Sequence, residues 1–126
     1  MGYETCFDLT WRLCDLNTGE LTTLPRIFIE PLSARLCELS GYLKTDNWWG
    51  EFTEEGTYID DVSWCDFNED LLQLSSEYPN IYFEVTGVGE DRDDHWVSYY
   101  VNSKQSGGQA RVVYPAFDFQ EHMGNE

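Results

Sequence analysis

Apolar and polar residues alternate over residues 3–14 with the two-residue period of a half-buried strand. Phe7, Leu9, Trp11 and Leu13 fall on one side, and Asp8, Thr10 and Arg12 on the other. Asn17-Thr18-Gly19 then signals a turn, and the run from Leu21 to Ile29 predicts a short second strand or an extended lead-in. The period becomes helical after Pro31, which suits a first helical turn because its missing N–H is not needed there. Leu32, Leu36, Leu39 and Leu43 recur at the spacing of one helix face, with Gly41 as the stop. Residues 45–57, rich in Trp, Gly, Glu and Thr, predict a long loop.

A loosely alternating strand is expected over 57–64, followed by a helix capped by Asp66 or Asn68. Asp66-x-x-Glu69 has the form of a capping box, and Phe67, Leu71, Leu74 and Tyr78 share one face until Pro79 ends the helix. Three strands are predicted next, at about 80–88, 95–102 and 109–114, joined by hairpin loops at 89–94 and Ser106-Gly107-Gly108. The tail after Pro115 reads as frayed, with Phe117 and Phe119 as candidates to pack back. The order of elements predicts one α+β domain over residues 1–126, a mainly antiparallel sheet carrying two helices on one face.

The stretch from Asp66 to Phe117 carries a resemblance. A capped helix ends in Glu77-Tyr78-Pro79, and a strand runs into Gly87-Val88-Gly89-Glu90-Asp91. Trp96 through Tyr100 follow, and then Val112-Val113-Tyr114-Pro115. Together these resemble the C-terminal part of the small YubB-like, ferredoxin-like proteins carried by phages, plasmids and gut-bacterial mobile elements. The resemblance covers under half the chain and implies a ferredoxin-like fold and a mobile-element origin. No catalytic residue comes with it, and the N-terminal half lies outside it.

Charge changes the picture most. Between Asp46 and Asp94 fifteen carboxylates face a single cation, Arg92, a net charge of −14 out of −17 for the 126-residue chain. Such a surface repels nucleic acid and acidic membranes and attracts basic partners. Disordered acidic tails are poor in aromatics, whereas here five Trp, eight Tyr and seven Phe are interleaved with the acids, so the chain should fold with its charge outside. Cys6, Cys14, Cys37 and Cys65 have neither C-x-x-C nor zinc-ligand spacing. Met1-Gly2-Tyr3-Glu4 has neither the basic nor the apolar region of a secretory leader, and no apolar run reaches membrane-spanning length. A cytoplasmic protein with free thiols is expected, a disulfide framework being the alternative.

Four candidate sites follow. The first is an acidic face from Glu51, Glu54, Glu55, Asp60, Asp61, Asp66, Glu69, Asp70, Glu90, Asp91, Asp93 and Asp94. Duplex DNA presents one charge per about 1.7 Å of axis, and carboxylates at similar density could occupy the groove of a DNA-binding protein. The competing reading is that the charge serves solubility alone. The second is Trp48-Trp49 with Phe52 and Tyr58, suited to stacking on an arginine, against a role in capping the core. The third, a metal site in residues 90–95, lacks the spacing and central glycine of a calcium loop, and Arg92 opposes a cation. The fourth is catalysis. His95 and His122 are the only histidines, and nothing in the sequence places a cysteine beside His95. Adjacent Asp60 and Asp61 in a strand point to opposite faces, and Ser106-Gly107-Gly108 lacks the Lys and helix of a phosphate loop.

The expectation is therefore a non-enzymatic acidic protein without cofactor or metal. It would be an inhibitor of the anti-CRISPR or anti-defence type that mimics nucleic acid toward a basic nucleic-acid-binding protein, and it would bind neither nucleic acid nor membrane itself. The alternative is a homodimeric ferredoxin-like module, joined through an open sheet edge or face, whose acidity keeps it in solution.

Overall fold

A computed structural model describes residues 5–41, 51–62, 64, 66–89, 95–110 and 116–123. The alternating N-terminal segment forms the long strand β1 (Thr5–Cys14), and the sheet is built around it. Strand β4 (Ile81–Gly89) lies along one side of β1, with Phe7 opposite Gly87 and Trp11 opposite Phe83. The other side is shared: β3 (Gly56–Val62) covers residues 5–10, and the two-residue β2 (Leu21–Thr22) covers residues 13–14. Beyond β4 come β5 (His95–Val101) and β6 (Lys104–Ala110), and all the pairings are antiparallel.

Side chains decide which face is covered. The two-residue period places Phe7, Leu9, Trp11, Ile59, Ile81, Phe83, Val85 and Tyr100 on one face, all buried. Against them pack Leu32, Leu36 and Cys37 of α1 (Ile29–Ser40) and Leu71 and Leu74 of α2 (Phe67–Glu77), in one core. The protein is thus α+β, an antiparallel sheet with two helices on one face. Gly41, left-handed at φ 82°, ends α1, and Pro79 follows the end of α2. Arg35 joins the helices by donating to both oxygens of Glu77 at 2.8 and 2.7 Å and to Glu38 at 2.6 Å.

The stretch 21–29 holds both a short strand and a lead-in: β2 stops at Thr22, and a 3-10 turn (Arg26–Phe28) leads into α1. Other expectations are corrected. Asp66 occupies the N-cap of α2 without a side-chain cap bond, and Asn68 instead accepts from the Tyr100 hydroxyl at 2.8 Å, so no capping box forms. The last hairpin turns five residues earlier than the glycines suggest, at Asn102 (φ 53°) and Ser103 (φ 65°), and Ser106-Gly107-Gly108 lie inside β6. This two-residue turn is fixed from outside, because the buried Ser75 of α2 accepts the Ser103 N–H at 3.0 Å. After β6, residues 119–123 form a short helix, α3 (Phe119–Met123), and Phe117 and Phe119 stay exposed rather than packing back.

Candidate acidic interaction site

Register shows which acidic segments meet. Thr5 pairs with both Val62 and Gly89, and Val88 pairs with His95, so the end of β3, the end of β4 and the start of β5 share one end of the sheet. The first turn of α2 lies there too. Phe67 stacks on Trp96 with ring centres 4.5 Å apart and lies 5.7 Å from Phe7, while Trp64 meets Phe7 at 5.2 Å. These four rings seat the helix N-terminus on the sheet end. Gly87 makes the cluster possible: a Cβ there would overlap the Trp96 indole, which lies flat over the missing side chain.

Asp66, Glu69 and Asp70 are carried on that helix start. Carboxylates suit it, since the first turn has unpaired N–H groups and the positive end of the helix dipole. Asp70 accepts the Trp64 indole N–H at 2.8 Å. Its pKa is nonetheless raised above the usual carboxylate value, by partial burial first and by the neighbouring Asp66 as well. A cluster that holds a carboxylate against this resistance concentrates negative potential. Sequence reasoning placed Trp64 in a strand and missed its bond to Asp70, six residues away across a strand-to-helix junction.

The other candidates distribute as follows. Asp60 and Asp61 belong to the last turns of chain in β3, toward the same end, although their side chains lie outside the described residues. Glu90, Asp91, Asp93 and Asp94 are also outside, but Gly89 and His95, which bracket them, stand at this end. Trp48 and Trp49 are outside the described residues altogether. Glu51, Glu54 and Glu55 precede β3, so they lie about 20 Å away along the sheet edge. Glu54 and Glu55 border an open notch of about 520 Å³ left where β2 and β3 fail to meet. Glu54 is engaged by Arg26 at 2.9 Å. Phe52 packs inward, stacked on Trp11 at 6.0 Å, and Trp11 donates its indole N–H to the Thr53 carbonyl at 2.9 Å. Phe52 is thus half-buried and packed against the core, and Tyr58 is half exposed on the sheet face opposite the core.

The described cations avoid the acidic end. Arg12 is opposite Tyr82 toward the far end of β1, and Lys104 follows the β5–β6 turn. Arg26 is paired with Glu54, and Arg35 with Glu77 and Glu38. Arg35 and Gln73 hold the Glu77 carboxyl below its usual range. Lys44, Arg92 and Arg111 lie outside the described residues. The far end therefore mixes signs, while the described charges at the near end are acidic.

Among the described residues no group of three or more His, Cys, Asp or Glu is arranged to hold a metal ion, and no helix is long and apolar enough to cross a membrane. Compared with protein-family models, curated proteins and solved structures, the chain matches none.

Proposed function

We propose that this is a non-enzymatic acidic binding protein whose acidic sheet end docks on a basic, nucleic-acid-binding protein in place of nucleic acid. The observation that carries the reading is the meeting of segments distant in sequence, the end of β3, the first turn of α2 and the residues flanking 90–94, at one end of the sheet. Solubility requires charge but not its assembly in one place. Carboxylates there would pair with Arg and Lys side chains that otherwise grip phosphate, and association would be fast and weakened by salt. By analogy of size and charge, the proposed role is that of a phage- or mobile-element-encoded inhibitor of a defence nuclease of the CRISPR type, acting in the cytoplasm.

Within the α+β class, kinship with ferredoxin-like proteins is proposed on the shared plan of two helices against one face of a sheet. β3 and β4, linked through α2, are each antiparallel to β1 and so run parallel with β1 between them, as in a split βαβ unit, whereas α1 links the antiparallel neighbours β1 and β3. The functional reading does not depend on this kinship. Immobilised protein should retain basic, nucleic-acid-binding proteins from lysate at about 0.05 M salt and release them at about 0.5 M. Duplex DNA should compete, and Glu69→Lys with Asp66→Lys should abolish capture. Recovery of no such protein at low salt would defeat the proposal.

A further inference from the structure

The face of the sheet turned away from the helices has a different character from the rest of the surface. Alternation assigns to it Cys6, Asp8, Thr10 and Arg12 of β1, Tyr58 of β3, and Tyr82, Glu84, Thr86 and Val88 of β4. His95, Val97, Tyr99 and Val101 of β5 and Lys104 and Ser106 of β6 also belong to it. No described helix covers these residues; the core lies on the opposite face. Tyr82 and Tyr99 stack at 6.2 Å across the β4–β5 ladder, and Val88 and Tyr58 are 45% and 50% exposed. On a chain of net charge −17, the described charged side chains of this face are two acids, Asp8 and Glu84, and two bases, Arg12 and Lys104.

We propose that this face docks a second copy of the chain, sheet against sheet. Two features select that occupant. Among the described side chains of this face, two acids and two bases can pair reciprocally across a two-fold axis, as the same patch on both copies requires. The size also suits. Five strands spaced about 4.8 Å apart and about seven residues long present roughly 550 Å² in projection, and the corrugated side-chain surface approaches the ~800 Å² per partner of a stable interface. Tyrosine and valine supply the apolar centre, and two sheets stacked about 10 Å apart would interdigitate them. The acidic end is not used, so the inference stands whether or not that end binds a basic partner.

Salt distinguishes the two. The described charges of the docked faces are balanced, but the bodies they join both carry −17, so salt screens repulsion and strengthens the dimer while it weakens any contact made by the acidic end. Sedimentation equilibrium of the full chain should give twice the 14.7 kDa monomer mass, with a dissociation constant that falls several-fold between about 0.05 and 0.5 M salt. Val97→Lys, at the centre of the face, should raise that constant at least about tenfold, since an unpaired charge is buried at the contact. Val101→Lys, nearer the rim and away from the acidic end, serves the same purpose if the first variant folds poorly by circular dichroism. Glu69→Lys should leave the dimer intact. A monomer at about 1 mM protein in high salt would overturn the proposal, as would a dimer that both face variants leave undisturbed.

Discussion

Alanine at position 87 should destabilise the protein by about 2 kcal/mol, the opposite of what a glycine in a strand ordinarily invites. At an unstrained site the change gains roughly 0.4–1 kcal/mol, because it narrows the conformational freedom of the unfolded chain. At Gly87 the new Cβ would overlap Cζ2 and Cε2 of Trp96 and come within 2.7 Å of Nε1. The indole has little room to retreat, with Phe67 stacked at 4.5 Å and Phe7 at 5.8 Å. Overpacking costs about 1–3 kcal/mol and a disturbed aromatic pair about 0.5–1.5, so the backbone gain is outweighed. Urea denaturation would register the loss as a lower midpoint at unchanged slope. Trp96→Ala is the control background: with the indole removed, Gly87→Ala should cost nothing, giving a coupling of roughly 2 kcal/mol in the double-mutant cycle. Because α2 begins on this cluster, amide exchange at Glu69 and Asp70 should quicken in Gly87→Ala. An equal effect of Gly87→Ala in both backgrounds would refute the proposed seat, and so the account of what holds the acidic helix start in place.

Four further outcomes follow from single side chains. Ser75→Ala removes the acceptor of the Ser103 N–H and should cost about 0.5–1.5 kcal/mol, with faster exchange of that amide; Ser103→Gly, which relieves a positive φ and keeps the N–H, should gain up to about 1 kcal/mol. Thr57 Oγ1 is buried without a hydrogen-bond partner among the described residues, so Thr57→Val should stabilise by about 1 kcal/mol in urea denaturation, and a loss instead would mean that the hydroxyl is satisfied. Asp70 carries a raised pKa in the folded protein, so the folded state holds its proton more tightly than the unfolded one. Its penalty is absent below the unfolded value near 3.8 and fully present above the raised folded value. Asp70→Asn keeps an acceptor for Trp64 and should be more stable than the native protein at pH 7, with the difference vanishing as pH falls through that window in thermal melts. A native protein at least as stable as Asp70→Asn at pH 7 would mean that the helix dipole outweighs burial.

What the sequence made legible was whatever periodicity alone determines. Phe7, Leu9 and Trp11 declared a half-buried strand, and Leu71 and Leu74 a helix face, because burial on one side imposes a fixed spacing that no distant contact needs to explain. The last hairpin was misread for the opposite reason. Glycines are the ordinary occupants of positive-φ turn positions, and Ser106-Gly107-Gly108 offered two, yet the turn sits at Asn102-Ser103. A serine tolerates φ 65° there, held by the Ser75 hydroxyl on a helix 28 residues earlier, a tertiary constraint with no local trace. The caps failed too: Asp66 makes no side-chain cap bond, and Asn68, the alternative cap, accepts from Tyr100 across the core.

The candidate site was legible in composition but not in geometry. An excess of acid between Asp46 and Asp94 is visible in the sequence; that the described acids before and after β3 stand at its opposite ends is not. The division follows from β3 being a strand, since seven extended residues separate their flanks by about 20 Å, where a helix of that length would separate them by about 10 Å. The group before β3 is partly neutralised by Arg26, brought from before α1. The group after it is joined by the ends of β4 and β5, and the described cations lie elsewhere. Charge repulsion favours separating these segments, so their meeting must be imposed by the fold. The rings of Phe7, Trp64, Phe67 and Trp96 impose it: apolar contact beneath the acidic end offsets the repulsion above it, and the same contacts that stabilise the core thereby set the spacing of the carboxylates.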